Sequence, residues 1–235
     1  MTTTIAKTII VTGASSGIGK AACEFLLEHG HKVIGIARRD ASIKHENFQS
    51  LHFDLSDLEQ LPIFLESLVK SHPQIDALVC NAGRGQFGSL EEFSYDQIQK
   101  LMDLNFTSHA FMARAIIPEM KRNKSGRIIF IGSEAALEGS RMGSIYCASK
   151  FAIRGFAQAL RDEGSKSGIQ VSIINPGMVK TEFFSNLSFT HGDDTTHYIE
   201  VSDVARTIQF AIESRPGTVI DEINLSPLKN VVQTK

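Results

Sequence analysis

The chain has 235 residues, a length that fits one α/β domain or at most two small ones. Its 24 basic and 26 acidic residues give a formal charge of −2, so no basic excess suggests binding to nucleic acid or to an anionic membrane. The three cysteines form no CxxC pair, and the eight histidines form no HExxH, so we expect neither a disulfide framework nor a metal site. No signal peptide or membrane-spanning apolar run is recognisable, and a cytoplasmic protein is the expectation.

Short apolar runs alternate with helical patterns along the whole chain. The predicted strands cover residues 7–12, 32–37, 51–53, 77–80, 127–131, 170–174 and 222–225. The predicted helices cover residues 17–29, 58–69, 95–120, 144–165 and 202–212, the last with Ser202 as its N-cap. Repeated alternation of this kind, with fully apolar strands, predicts a parallel sheet covered by helices on both faces.

Only one long stretch, residues 178–201, lacks a regular pattern. A connection of this length inside a compact domain is usually a functional loop or lid. We therefore expect a single domain over residues 1–235, in which residues 178–201 form a substrate loop.

A glycine-rich turn joins the first predicted strand to the first helix, with the sequence TGASSGIG from Thr12 to Gly19. Glycine allows a tight turn and a close approach to a pyrophosphate, and the helix N-terminus offers free N–H groups to an anion. The turn predicts a dinucleotide site built from Gly13, Ser15, Ser16, Gly17, Ile18 and Gly19. With the strand pattern it predicts a Rossmann-type doubly wound parallel sheet of about seven strands, in three layers and in the order 3-2-1-4-5-6-7.

Tyr146 and Lys150 are four residues apart on a predicted helix, so they share one face of it. Ser133 precedes Tyr146 by 13 residues and ends the fifth predicted strand. The carboxyl ends of the strands are where open α/β sheets bind their ligands. The three residues are therefore candidates for one site.

These motifs, TGxxxGxG and YxxxK, resemble those of the short-chain dehydrogenase/reductase family, and the resemblance covers nearly the whole chain. Asn81-Ala82-Gly83 matches the family's NNAG, except that Cys80 replaces its first Asn. The resemblance implies a catalytic set of Asn105, Ser133, Tyr146 and Lys150. It implies cofactor contacts from the turn and from Arg38, Arg39, Asp54, Leu55, Asn81, Ala82, Gly83, Tyr146, Lys150, Pro176, Gly177, Val179 and Thr181.

In the family scheme a cofactor supplies a hydride, and Tyr146 is the acid in reduction and the base in oxidation. A free tyrosine has a pKa of about 10, and a lysine ammonium beside it, together with the nicotinamide charge, favours tyrosinate. Lys150 also binds the nicotinamide ribose, Ser133 polarises the substrate oxygen, and Asn105 supports a water-mediated proton path.

The end of the second predicted strand favours NADP over NAD. NAD-specific relatives usually carry an acid there, which binds the ribose 2′-OH. Here Ala37 is followed by Arg38 and Arg39, and an arginine can bind a 2′-phosphate with two hydrogen bonds. Many NADP-using relatives also carry a basic residue where this chain has Ser16, so this part of the NADP pattern is absent.

The resemblance implies an NADP-dependent oxidoreductase that interconverts an alcohol and a carbonyl. The segment Ile223 to Pro227 is more typical of relatives that act on small 3-hydroxy acids and related alcohols, while a 3-oxoacyl carrier-protein reductase is an alternative. A non-catalytic NADP-sensing or scaffold protein is disfavoured because all four catalytic positions are filled. Family members commonly form tetramers through the two long helices, so we expect a homotetramer, or alternatively a dimer.

Overall fold

The structure is a computed structural model and describes residues 6–235. Seven strands of these described residues form one parallel sheet in the order β3-β2-β1-β4-β5-β6-β8. They are β1 (Thr8–Thr12), β2 (Lys32–Ala37), β3 (Phe48–His52), β4 (Ala77–Cys80), β5 (Gly126–Ile131), β6 (Ile169–Pro176) and β8 (Glu222–Leu225). Since β8 is the seventh strand that the sequence predicts, the predicted strand order is confirmed.

In the part of the chain that the structure describes, six α-helices cover the sheet: α1 (Gly17–Glu28), α2 (Leu61–Ser71), α3 (Tyr95–Met102), α4 (Ser108–Asn123), α5 (Ser144–Ser165) and α6 (Val201–Glu213). The prediction of Ser202 as the N-cap of α6 is wrong, because Glu200 is the N-cap. The backbone is still extended at Glu200, immediately after Ile199 pairs with Val179, and it turns into the helix at Val201. Within residues 6–235 we find no helix with the length and apolar character needed to cross a membrane.

The two faces of the sheet carry separate apolar cores because side chains alternate along each strand. Ile9 and Val11 of β1 pack on the face covered by α1 and α6, whereas Ile10 packs on the face covered by α2, α4 and α5. All three are fully buried. Burial of one such side chain contributes about 1.5–3 kcal/mol, so this double core holds the strand ends in fixed positions.

The predicted helix over residues 95–120 is interrupted. A π-helical turn, Asp103–Thr107, separates α3 from α4. Such turns fit an extra residue into a helix and are frequent at functional sites. Asn105, a candidate from the sequence, lies in this turn and is fully buried.

Residues 178–201 are more regular than their sequence pattern indicates. They contain a short strand, β7 (Phe189–His191), which pairs antiparallel with β9 (Val232–Thr234) near the end of the chain. Further bonds join Gly192 N–H to Val231 C=O at 3.2 Å and Lys229 N–H to Thr196 C=O at 2.9 Å. The partner of β7 is remote in sequence, so local periodicity carries no sign of this pairing.

Candidate active site

The glycine-rich turn has a backbone that other residues would not tolerate. Gly13 and Gly17 have φ values of 70° and 54°, in the left-handed region. A Cβ at Gly19 would lie 2.2 Å from the Gly13 carbonyl oxygen. Ser16 precedes α1 in an extended conformation, and its side chain does not cap the helix. The first N–H groups of α1 therefore have no side-chain acceptor from the N-cap, which fits a pyrophosphate at this turn.

Thr12, which ends β1, ties this turn to the segment after β4. Its hydroxyl oxygen accepts hydrogen bonds from the N–H groups of Asn81, at 2.9 Å, and Ala82, at 3.0 Å. In return the Asn81 side-chain amide donates to the Thr12 carbonyl at 2.9 Å. The structure thus brings the predicted Gly13 and Asn81 regions together. Sequence reasoning assigned Thr12 no role of its own, although it begins the glycine motif.

Asn105 holds the same segment from the other side. Its side-chain carbonyl accepts from the Arg84 N–H at 3.0 Å, and its amide donates to the Arg84 carbonyl at 3.0 Å and to the Ser149 hydroxyl at 3.1 Å. Its amide oxygen also lies against Gly83, where a Cβ would be 3.2 Å away. The side chain therefore fixes the loop after β4 against α5.

His109, on α4, is a buried residue that the sequence reasoning missed. Its Nε2 lies 2.8 Å from the Ala82 carbonyl oxygen, and its Nδ1 is buried without a hydrogen-bond partner among residues 6–235. Burial, and next the charge of Lys150, lower the pKa of His109 to about 3. The imidazole is therefore neutral and donates from Nε2 to Ala82. The sequence did offer one signal for His109: it lies four residues after Asn105, a spacing that places two side chains on the same face of a helix.

Tyr146 and Lys150 lie on one face of α5, as their spacing predicts. The Lys150 Nζ is 5.9 Å from the centre of the Tyr146 ring and donates to the Ile131 carbonyl at 3.0 Å. Ser133 lies just beyond the end of β5, where its hydroxyl accepts from the Ala135 N–H at 3.2 Å. All three residues are at the carboxyl edge of the sheet.

Burial dominates the electrostatics of this group. Tyr146 is only 7% exposed, and burial raises its pKa to about 12, while the Ser133 side chain opposes that rise. Burial also lowers the pKa of Lys150 to about 8. The expectation that Lys150 favours tyrosinate is thus not met by the side chains alone, since desolvation disfavours the charged form of both groups. At neutral pH Tyr146 carries its proton.

Arg38 and Arg39 follow β2 and are both exposed. The Arg38 guanidinium lies 3.7 Å from the Asp54 carboxylate. Burial alone would raise the pKa of Asp54, but hydrogen bonds from Ser56 and the nearby Arg38 outweigh it and hold that pKa below its usual value. Leu55, the next residue, is buried. The structure therefore groups Arg38 with Asp54 and leaves Arg39 facing solvent.

The segment after β6 folds back over the glycine-rich turn. Pro176 ends β6, and the Gly177 N–H donates to the Leu225 carbonyl at 2.8 Å. Val179 is buried and pairs with Ile199. A Cβ at Gly17 would lie 3.3 Å from the Thr181 methyl carbon, so the turn and this segment are in contact. Ser15 and Ile18, also on the turn, are partly exposed.

The fold and this site define an α/β oxidoreductase. A family model described as short chain dehydrogenase matches residues 7–191. This chain belongs to the short-chain dehydrogenase family.

Three similar proteins illustrate the relationship. The chain is 34% identical to an NADP-dependent 3-hydroxy acid dehydrogenase of Schizosaccharomyces pombe, over 94% of this chain and 92% of the relative. It is 33% identical to a 3-ketodihydrosphingosine reductase of Bacteroides thetaiotaomicron, over 76% of this chain and 66% of that protein. The solved structure of a metagenomic short-chain oxidoreductase in complex with NADP is 27% identical and has a TM-score of 0.81, covering 94% and 96% of the two chains.

Proposed function

We propose that the protein is an NADP-dependent oxidoreductase that interconverts an alcohol and a carbonyl, with Tyr146 as its proton-transferring residue. The observation that carries this proposal is the buried pair of Tyr146 and Lys150 beside Ser133, at the sheet edge that also holds the glycine-rich turn. Bound NADP(H) would supply or accept the hydride.

The side chains of this site divide the remaining work. Ser133 holds the substrate oxygen next to the phenol, and Tyr146 exchanges its proton with that oxygen. Lys150, whose Nζ lies 5.9 Å from the centre of the Tyr146 ring, would supply positive charge that favours ionisation of the phenol together with the charge of the bound nicotinamide. Asn105 is a positioning residue, because both protons of its amide are used to hold Arg84 and Ser149. The implied water-mediated proton path at Asn105 stays a prediction.

The cofactor assignment is supported by residues and by relatives. Ala37 offers no acid to a ribose 2′-OH, and Arg38 and Arg39 lie exposed at the end of β2, where they could meet a 2′-phosphate. The S. pombe relative is NADP-dependent by its name, and the metagenomic enzyme was solved with NADP. The turn, the segment from Asn81 to Gly83 and the segment from Pro176 to Thr181 would hold the rest of the cofactor.

The named relatives act on different compounds, a 3-hydroxy acid in one case and 3-ketodihydrosphingosine in the other. A small 3-hydroxy acid or related alcohol is the candidate favoured by the S. pombe relative, and a 3-oxoacyl carrier-protein reductase is a further candidate. We also propose a cytoplasmic location and a homotetramer, with a dimer as the alternative.

The proposal is tested by mixing the protein with NADPH and a generic diketone and following the absorbance of the cofactor. Tyr146→Phe removes the transferable proton and keeps the ring, so kcat should fall at least about 100-fold, the usual scale for general acid catalysis. NADPH affinity should survive. Tyr95→Phe is the matched control, because Tyr95 is 94% exposed at the start of α3.

Two outcomes would contradict the proposal. If Tyr146→Phe retains more than a tenth of the wild-type kcat, Tyr146 is not the acid. If the wild type binds NADPH but reduces none of a panel of carbonyl compounds, the non-catalytic alternative is correct.

A further inference from the structure

Four phenylalanine side chains form a connected group of rings beside Tyr146, and we call them the phenylalanine cluster: Phe87, Phe183, Phe184 and Phe189. The ring centre of Phe87 is 5.1 Å from that of Tyr146, and the ring centre of Phe183 is 6.0 Å from it. Phe189 meets Phe87 edge-on at 4.9 Å, and Phe184 meets Phe183 at 5.2 Å. These spacings are those of packed aromatic pairs.

The cluster is assembled from three separate segments. Phe87 comes from the loop after β4, Phe183 and Phe184 from a short 3-10 helix after β6, and Phe189 from β7. Phe183 is 36% exposed, so the cluster is open to solvent on one side. The approach to the Tyr146 ring is therefore walled by apolar rings, which favours an apolar group on whatever binds beside it.

Glu134 places a carboxylate beside Ser133, at the edge of the sheet that carries the candidate site. It follows Ser133 directly, and its Oε2 would lie 2.7 Å from a Cβ at Gly177. No salt bridge or side-chain hydrogen bond to its carboxylate is present among residues 6–235. Burial raises the pKa of Glu134; for Tyr146, burial is the main cause of the raised pKa and the charge of Glu134 adds a small part.

We propose that this site accepts neutral carbonyl compounds that carry an apolar group, and that Glu134 excludes anionic substrates such as 3-oxo acids. The inference rests on the proposed carbonyl reduction and, among its candidate substrates, chooses neutral alcohols and their ketones over the small 3-hydroxy acids. Glu134 follows Ser133, the residue proposed to hold the reacting oxygen, so a substrate carboxylate next to the reacting carbonyl would enter a half-buried site that already holds one carboxylate. Two like charges in such surroundings repel strongly, and the rings offer no hydrogen bond in compensation.

The decisive comparison uses two substrates that differ in one charge, benzoylacetate and its ethyl ester. The wild type with NADPH should reduce the ester with a kcat/KM about 10- to 100-fold above that of the acid, the size expected for one close like-charge pair. Glu134→Gln removes the charge and keeps the shape, so it should raise kcat/KM for the acid at least about tenfold, chiefly through KM, and leave the ester within about threefold. Glu138→Gln, an exposed acid on the same segment, should change neither.

The contribution of the cluster is tested with ethyl benzoylacetate against ethyl acetoacetate, which lacks the phenyl ring. Phe183→Ala should lower kcat/KM for the phenyl ester about tenfold and for the small ester by much less, since only the large substrate reaches the missing ring. Phe210→Ala, which truncates a 61% exposed ring on α6, is the control. Thermal unfolding and NADPH titration confirm that each variant is folded.

The outcomes separate the two proposals. If the wild type reduces the acid as well as the ester, or if Glu134→Gln leaves their ratio unchanged, the substrate class is wrong while the carbonyl reductase stands. If Phe183→Ala affects both esters equally, the cluster does not recognise the apolar group. If neither ester nor acid nor any other carbonyl is reduced, the proposed function fails and this inference fails with it.

Discussion

The side chains around Tyr146 show how burial and hydrogen bonding prepare single residues for one task. Tyr146 remains protonated, His109 is neutral, and Asn105 and Thr12 use their hydrogen bonds to hold the loop after β4. Each of these groups would cost free energy if it were buried without its partners. These hydrogen bonds hold the loop after β4 against β1 and α5.

The preference for NADP over NAD is also a prediction about single residues, here Arg38 and Ala37. Charge-assisted bonds from Arg38 to a 2′-phosphate exist with NADP and not with NAD, and such bonds contribute roughly 1.5–3 kcal/mol. Arg38→Ala should therefore weaken NADPH binding about ten- to a hundredfold and change NADH binding little. Ala37→Asp should favour NADH, because a carboxylate repels the phosphate and accepts a bond from the 2′-OH.

Fluorescence titration with both cofactors measures this effect. Arg206→Ala, an exposed arginine on α6, serves as the control. Arg39 is exposed next to Arg38 and could share the role, so the double variant is measured too. A wild type that prefers NADH, or a double variant with an unchanged ratio of affinities, would show that the cofactor assignment is wrong.

At the scale of elements, the β7–β9 pair links residues near the end of the chain to the segment around the candidate site. β7 carries Phe189, which packs on Phe87. Additional contacts run from Lys235, whose N–H donates to the Ser188 carbonyl at 2.8 Å and whose side chain reaches the Phe184 carbonyl. Residues 178–201 are the proposed substrate loop, and we expect the pairing of β7 with β9 to keep this loop ordered.

Deletion of residues 231–235 should loosen this loop. Without β9 the backbone groups of β7 lose their partners, so hydrogen exchange across residues 183–199 should speed up at least about tenfold. KM for the carbonyl substrate should rise while NADPH affinity stays the same, since the glycine-rich turn does not touch β9. Lys235→Ala, which removes only the side-chain contact, should have the smaller effect. Unchanged exchange in the shortened chain would contradict this role for β9.

At the scale of the whole molecule, α5 leaves a surface of small and aromatic side chains uncovered. Ala148 and Ala159 are exposed, and Phe151 is 42% exposed. Apolar side chains in this arrangement on one long helix favour self-association through a symmetric interface. The same helix carries Tyr146 and Lys150 on its buried side, so assembly through the exposed side would stabilise the helix that holds the candidate site.

A homotetramer is therefore the expected state, with a dimer as the alternative. Light scattering at micromolar concentration measures the mass, and a monomer would contradict the prediction. Ala159→Glu would place a charge on this surface and should shift the mass to a smaller species. Lys70→Glu on α2 changes the charge of a helix elsewhere and should leave the mass unchanged.

The sequence alone determined the order of elements and the principal motifs. Apolar runs and helical spacing are local properties, so α5 (Ser144–Ser165) and β8 (Glu222–Leu225) have the predicted bounds. The strand order of the sheet follows from the alternation and from the glycine-rich turn after β1. The placement of Tyr146, Lys150 and Ser133 at one edge of the sheet follows in turn, because parallel strands end on the same side.

Only the tertiary structure decided the properties that depend on distant partners. The pairing of β7 with β9 and the contact of His109 with Ala82 each bring together residues that are far apart in sequence, and neither local pattern predicts the other. The π-helical turn at Asp103–Thr107 was likewise not predicted from the helical spacing. The pKa of Tyr146 near 12 likewise results from burial by several segments at once. A sequence pattern records which residues are apolar and how they repeat, whereas desolvation and contact are set by what the rest of the chain packs against them.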